Sequence, residues 1–281
     1  RDQPRSRGLG DVYKRQLNFH AMLLKLESSQ DIGFGYYTDS ADLQITVDWP
    51  EEAVIEITKK DGDTGKNLAG AVYGVYSDNA CTKLIVKMPP TDSNGSSRVT
   101  LTKTQDTVYL KEITAPEGYV VQASSYGVKL VVGSTTKQTV TDKEQKGNLT
   151  VYKEGEVFVG AVSDENGTSF QYEKRRQKGA VYNVYAAEDI VTAGGKTVYK
   201  KGAEVAKNLI TGENGSVTVK NLPLGSYNVT EAQAPENFYN AKETKKVTIS
   251  YAGQTAEAAF SETTFTNDRQ KAVVQLSLIH I

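Results

Sequence analysis

Six residues combine chemical capability with an unexpected position: Lys59, Glu112 and Asp142, and later in the chain Lys153, Glu231 and Asn267. The segment Val54–Lys59 alternates so that Lys59 falls in line with Ile55 and Ile57, and Leu149, Val151 and Lys153 share a face in the same way. Glu112 follows Val108 and Leu110 at a spacing of two, and Glu231 follows Tyr227 and Val229. A period of two places such residues on one face of a β-strand. Here a charge points where apolar side chains pack. An unpaired buried charge costs several kcal/mol, so the same placement twice, in the same order, is a signal.

Burial disfavours the charged form, lowering the pKa of an amine and raising that of a carboxylic acid. A neutral amine is a nucleophile, and a protonated carboxylic acid donates a hydrogen bond to a carbonyl oxygen. Lys59 and Lys153 can then attack the side-chain carbonyls of Asp142 and Asn267. Each attack makes an isopeptide bond and releases water from Asp or ammonia from Asn. Glu112 and Glu231 would shuttle the proton, and apposition in a dry core would supply the effective concentration. The competing reading is an ordinary buried or half-solvated ion pair. Residue pattern alone leaves both open. Bond formation would be autocatalytic and single-turnover, so the chain is not expected to be an enzyme in the usual sense.

The elements that must hold these residues repeat. GAVYGVY at Gly70–Tyr76 returns as GAVYNVY at Gly179–Tyr185, YLKEITAPEGY at Tyr109–Tyr119 as YNVTEAQAPENFY at Tyr227–Tyr239, and VTDKEQKG at Val140–Gly147 as FTNDRQKA at Phe265–Ala272. The common order indicates a duplicated module, at about 53–146 and about 147–272. Turn signals punctuate each copy: Asp61–Gly65, Ala115–Gly118 and Ala234–Asn237. The strands expected before the closing strand are Val128–Val132 and Val247–Tyr251. About seven short strands per module, together with abundant Val and Thr and 16 Tyr, point to an all-β protein built of β-sandwiches. Between Lys153 and Gly179 the second copy is longer, and Val157–Gly179 reads as a surface loop or added hairpin.

Several function classes are disfavoured. With 33 basic against 34 acidic residues the chain has no electrostatic reason to bind nucleic acid. No apolar run is long enough to span a bilayer, so no membrane insertion is expected of this segment. A single cysteine, Cys81, excludes an internal disulfide and has no histidine partner in either module. Without His or Cys clusters neither a metal site nor a cofactor is expected. Asp61-Gly62-Asp63-Thr64-Gly65 opens like a calcium loop but lacks the later ligands and the terminal Glu. Sequons at Asn148 and Asn228 are informative only if the source glycosylates them, and carry nothing if it is bacterial.

The ends differ from the rest. Asp11–Gln16 is what GAT GTG TAT AAG AGA CAG encodes, and Leu276–Ile281 is what CTG TCT CTT ATA CAC ATC encodes. These strings are reverse complements and resemble a transposase end used in sequencing libraries. Residues 1–16 and 276–281 are therefore expected to be translated adapter, and 273–281 a truncated linker running into it. Residues 17–52 belong to an upstream domain or linker and stay unassigned; they include His20 and a candidate strand at Leu43–Val47.

An initial strand ending in Lys, then LAGAVYGVY, YLKEITAPEGY and a closing TDK or TND resembles the SpaA/Cna-B family of Gram-positive surface adhesins and pilins. The resemblance covers about 53–272 and implies tandem prealbumin-like Greek-key β-sandwiches. It implies Lys59 joined to Asp142 with Glu112 assisting, and Lys153 joined to Asn267 with Glu231 assisting. Asp142 stands where Asn is commoner in the family, which changes the leaving group. It implies an extracellular, cell wall-attached location. No sortase signal or pilin-lysine motif accompanies it. The function expected is a structural stalk segment whose partners are neighbouring modules of the same chain. A second reading has the modules engage a host surface protein or glycan, and a third makes them accessory domains of a cell-wall enzyme.

Overall fold

The computed structural model describes residues 51–271. The adapter-like ends, 273–275, and residues 17–50 with His20 and Leu43–Val47 lie outside the described residues. Among the described residues every regular element is a strand. The first copy has seven: β1 (Glu52–Asp61), β2 (Val72–Tyr76), β3 (Leu84–Lys87), β4 (Ser96–Thr102), β5 (Thr107–Thr114), β6 (Ser125–Lys129) and β7 (Thr135–Asp142). They form two sheets, ordered β4-β1-β7 and β3-β2-β5-β6. Ile55, Ile57, Tyr73, Val75, Leu110 and Val140 fill the space between them. The strict alternation in β1 puts every second residue into that core.

The first and last strands lie side by side and parallel, Lys59 opposite Val140 and Asp61 opposite Asp142. Lys59 and Asp142 are thus two residues apart in register and on one face, directed at the second sheet. Val128 and Leu130 face the core as the alternation requires, but β6 ends at Lys129 and begins at Ser125. Val131 and Val132, expected in that strand, are exposed, because the chain turns at Gly133 with φ +71° to enter β7.

The second copy repeats this frame and adds to it. Its strands are β8 (Lys146–Asp164), β9 (Gly167–Arg176), β10 (Val181–Ala186), β11 (Ile190–Val191), β12 (Thr197–Tyr199), β13 (Glu204–Ile210), β14 (Ser216–Pro223), β15 (Gly225–Gln233), β16 (Thr244–Ile249) and β17 (Ala258–Asn267). The sheets run β14-β8-β17 and β13-β10-β15-β16, with β11 and β12 forming a separate small hairpin. β8 and β17 are again parallel, Lys153 opposite Phe265 and Gly155 opposite Asn267. The insertion is a hairpin: β8 continues past the core and β9 returns along it. Tyr251 lies beyond β16, which starts at Thr244 and stops at Ile249.

The two copies meet through a polar clamp centred on Gln145, which is buried. Its Nε2 donates to the carbonyls of Gly253 at 2.9 Å and Ala256 at 2.6 Å, and its Oε1 accepts from Ala252 N at 2.8 Å. Gln254 reaches back, accepting from Ala115 N at 2.8 Å and donating to Ile113 O at 3.2 Å. Tyr251 Oη donates to Tyr119 O at 3.0 Å, and Gly194 N donates to Glu144 Oε1 at 2.7 Å. Buried backbone groups at the seam are therefore partnered, which fixes one module on the other.

One paired replacement distinguishes the copies. In the first, Tyr119 Oη donates to Asp61 Oδ2 at 2.6 Å. In the second, the equivalent positions are Phe238 and Gly155, and the Phe238 ring occupies the space that a Gly155 side chain would need. Hydroxyl and carboxylate disappear together. Gly155→Ala is accordingly expected to destabilise the second module by about 1–3 kcal/mol through overpacking. Gly160→Ala, where no atom approaches, should change stability little. Denaturant unfolding of the two variants checks the contrast.

Candidate functional site

Each sandwich encloses one lysine. In the first, Lys59 is 0% exposed, with its Nζ 2.5 Å from Asp142 Oδ1 and 2.8 Å from Glu112 Oε1. Lys59 and Asp142 come from the parallel pair β1 and β7; Glu112 comes from β5 in the facing sheet. Glu112 Oε2 accepts from Gln122 N at 2.8 Å, which fixes the carboxylate. Asp142 Oδ2 is buried without a hydrogen-bond partner.

The second sandwich repeats the arrangement with one difference. Lys153 Nζ lies 2.9 Å from Glu231 Oε1, and Asn267 Nδ2 donates to Glu231 Oε2 at 2.8 Å. Glu231 thus spans the amine and the amide nitrogen. All three side chains are buried, Lys153 at 0% exposure. The Lys153–Glu231 contact is close but too poorly angled to count as a hydrogen bond.

Electrostatics follow from dryness and charge count. Burial pushes the Asp142 carboxyl up to about 7, opposed by Lys59 and reinforced by the neighbouring Glu112. The shift favours the carboxylic acid form of Asp142, a better electrophile than a carboxylate. Burial also lowers the Lys153 ammonium from its ordinary range, although Glu231 beside it works the other way. A lowered amine pKa increases the nucleophilic neutral fraction. The chemistry such a group can perform is amide formation at Asn267, in which Glu231 takes a proton from Nζ and returns one to the departing Nδ2 as ammonia. At Asp142 the same sequence through Glu112 releases water.

Two tyrosines belong to these clusters although the sequence presents them as packing residues. Tyr73 lies directly across from Glu112, and Tyr182 across from Glu231. Lys59 Nζ donates to Tyr73 Oη at 2.8 Å, whereas Tyr182 Oη has no partner and its ring packs on Phe265 with centroids 4.9 Å apart. Burial raises both phenols far above their usual range, keeping them neutral. The signal available in sequence was the antiparallel register of GAVY against YLKE and of GAVY against YNVTE. Asp61, suspected in a calcium-like turn, instead accepts from Asp63 N, Thr64 N, Thr64 Oγ1 and Tyr119 Oη. Cys81 is free and half-buried.

Two tandem all-β sandwiches, each with first and last strands parallel and a lysine buried between the sheets, define a class of repeated structural module. The family model described as SpaA, prealbumin-like fold domain, matches residues 53–145 and 166–264, and the chain belongs to that family. The first match contains Lys59, Glu112 and Asp142; the second contains Glu231 but neither Lys153 nor Asn267. Among solved structures, the Bacillus anthracis TIE protein is similar at 23% identity over 78% of this chain and 34% of its own, with a TM-score of 0.49. A streptococcal ancillary pilin is similar at 20% identity over 79% of this chain and 63% of its own, TM-score 0.32. The minor pilin GBS52 of Streptococcus agalactiae shows 15% identity over 80% of this chain and 100% of its own, TM-score 0.31. The chain spans about a third of the first of these and under two thirds of the second. No curated protein matches the chain.

The tyrosine difference is testable. Tyr73→Phe removes the acceptor of Lys59 Nζ from a dry core and is expected to cost about 1–2 kcal/mol, while Tyr182→Phe removes a hydroxyl with no partner and should be neutral or stabilising. Equilibrium unfolding of both single variants measures it.

Proposed function

We propose that the chain is a stalk segment of a Gram-positive cell-surface adhesin or pilin-like protein, stiffened by autocatalytic isopeptide bonds from Lys59 to Asp142 and from Lys153 to Asn267. Glu112 and Glu231 are the proton-transfer groups. The observation that carries this reading is the fully buried lysine of each module, held within contact of a glutamate from the opposite sheet and on the same strand pair as its acceptor. Membership of the prealbumin-like family supports it, and so does the tight junction between modules.

Joining the first strand to the last closes a loop of 83 residues in the first module. In the chain-entropy account such a closure stabilises by about 4.5 kcal/mol. Mechanics favour it further, since force entering through β1 and leaving through β7 passes across the bond and cannot peel the sheets apart. No helix among the described residues is long and apolar enough to cross a membrane. The work assigned to the chain is extension and load-bearing outside the cell, attached to the wall. The second reading, binding of a host protein or glycan, would use the exposed aromatic side chains Phe158 and Phe170 of the β8–β9 hairpin.

Pulling the chain by its two ends in a single-molecule experiment tests the stalk. The unsubstituted protein should resist without releasing the length enclosed by either bond. Glu112→Ala should release about 280 Å more on unfolding, from the 83-residue span at about 3.4 Å per residue. Full release from the unsubstituted chain at the same force as the variant would remove the mechanical basis of the proposal.

A further inference from the structure

The end of the second module reproduces the backbone hydrogen bonds of the surface on which the second module itself sits. At the first module's end, Tyr119 N donates to Pro116 O, Val120 N to Lys143 O and Gln145 N to Gly118 O. At the second module's end the same three bonds are Phe238 N to Pro235 O, Tyr239 N to Asp268 O and Gln270 N to Asn237 O. The isolated bridge Tyr119–Glu144 returns as Phe238–Arg269. Gly118 and Asn237 both take the left-handed conformation, at φ +88° and +69°. The dipeptide Gln145-Lys146, where the chain passes from clamp into β8, returns as Gln270-Lys271.

The two ends differ in what covers them. Tyr119 and Phe238 are both buried, at 1% and 8% exposure, but the backbone carbonyl of Tyr119 is met by Tyr251 of the second module. Around Phe238 there is instead a cavity of about 690 Å³, lined by Glu156, Phe158, Phe170, Tyr172 and Arg269 among others. Phe158 and Phe170 are 58% and 61% exposed, and Tyr239 next to Phe238 is 55% exposed. Apolar side chains of this size, grouped on one surface, mark an interaction site. Phe158 packs edge-on against both Phe170 and Tyr172, and Arg269 stacks 3.5 Å over Tyr172 while binding Glu156. The aromatic side chains are thus held in place before anything docks.

We propose that this end is a socket for a third β-sandwich module of the same class, joined directly after Gln270 and clamped by the Gln270 amide as Gln145 clamps the second. The occupant is defined by the existing junction. It presents a loop equivalent to 250–256, whose backbone carbonyls and N–H meet the Gln270 side chain, now donating to Phe238 O at 3.3 Å. It also rests against Phe158 and Phe170 of the β8–β9 hairpin, which the first module lacks. Two positions set conditions on it: Arg269 stands where Glu144 accepts from Gly194 N, so that bond is not open to the third module, and Asn237 stands where the first module has Gly118. At the existing junction a Cβ on Gly118 would come within 2.8 Å of Ala193 Cβ, and Asn237 has such a Cβ. The third module therefore carries glycine where the second has Ala193. The inference rests on the junction between modules and not on the crosslinks, so either can fail without the other.

The test extends the chain by a second copy of residues 146–270 joined after Gln270, with Ala193→Gly in the added copy, and follows amide hydrogen exchange. Exchange at Phe238–Asn240 and Gln270 is expected to slow about tenfold or more relative to the unextended chain. Gln270→Ala in the extended chain should abolish that protection, as Gln145→Ala should at Tyr119–Val121. A control carries the added copy behind a long Gly/Ser linker. Unchanged exchange in the directly joined chain, with the Gln145→Ala control responding, overturns the proposal. So does an added copy that folds behind the linker but not when joined directly.

Discussion

A lysine ammonium shut between two β-sheets is the constraint around which each module is built. Removing such a charge from water costs more than a core of this size can absorb, unless carboxylates or amides meet it inside. In the first module two carboxylates and a phenol hydroxyl surround Lys59; in the second Glu231 stands between Lys153 and Asn267. Meeting this requirement takes residues from the first strand, the last strand and the opposite sheet. The parallel pairing of β1 with β7 and of β8 with β17 brings the first two together, and the sandwich brings the third. The proposed isopeptide bonds would make this requirement permanent by replacing a costly ion pair with an uncharged amide.

The two clusters solve the same problem with different balances. Asp142 beside Glu112 is a like-charged pair in a dry site, and its carboxyl is driven to about 7. Asn267 carries no charge, so Glu231 alone answers Lys153, and the Tyr182 hydroxyl is left without a partner. The same divergence appears at the module ends, where Tyr119 with Asp61 becomes Phe238 with Gly155. Duplication kept the frame and allowed pairs of contacting residues to change together.

Much of this was legible in the chain itself. Strict alternation over Val54–Lys59 and Gly147–Lys153 is enough to turn both lysines inward, because one face of a strand in a sandwich must be apolar. The repeats GAVYGVY/GAVYNVY and YLKEITAPEGY/YNVTEAQAPENFY carry the duplication and the all-β fold. Other features had no local signature. Tyr73 and Tyr182 look like packing residues until cross-strand register sets them opposite Glu112 and Glu231. Gln145 is an unremarkable polar residue between two strands, and only the tertiary meeting of its amide with the 250–256 loop makes it a clamp. The insertion at Val157–Gly179 was legible as a loop or an added hairpin, and the pairing of β8 with β9 decides for the hairpin and carries β8 on to Asp164. Val131 and Val132 show the reverse: β-prone residues left outside a strand because the chain must turn at Gly133.

The central claim is that each buried cluster becomes a covalent bond, and the intact mass of the folded protein tests it most directly. The account predicts a mass lower than the sequence mass by one water and one ammonia, with Glu112→Ala restoring the water and Glu231→Ala the ammonia. A folded protein at its full sequence mass would contradict it, and would leave Lys59 and Lys153 as buried ion pairs.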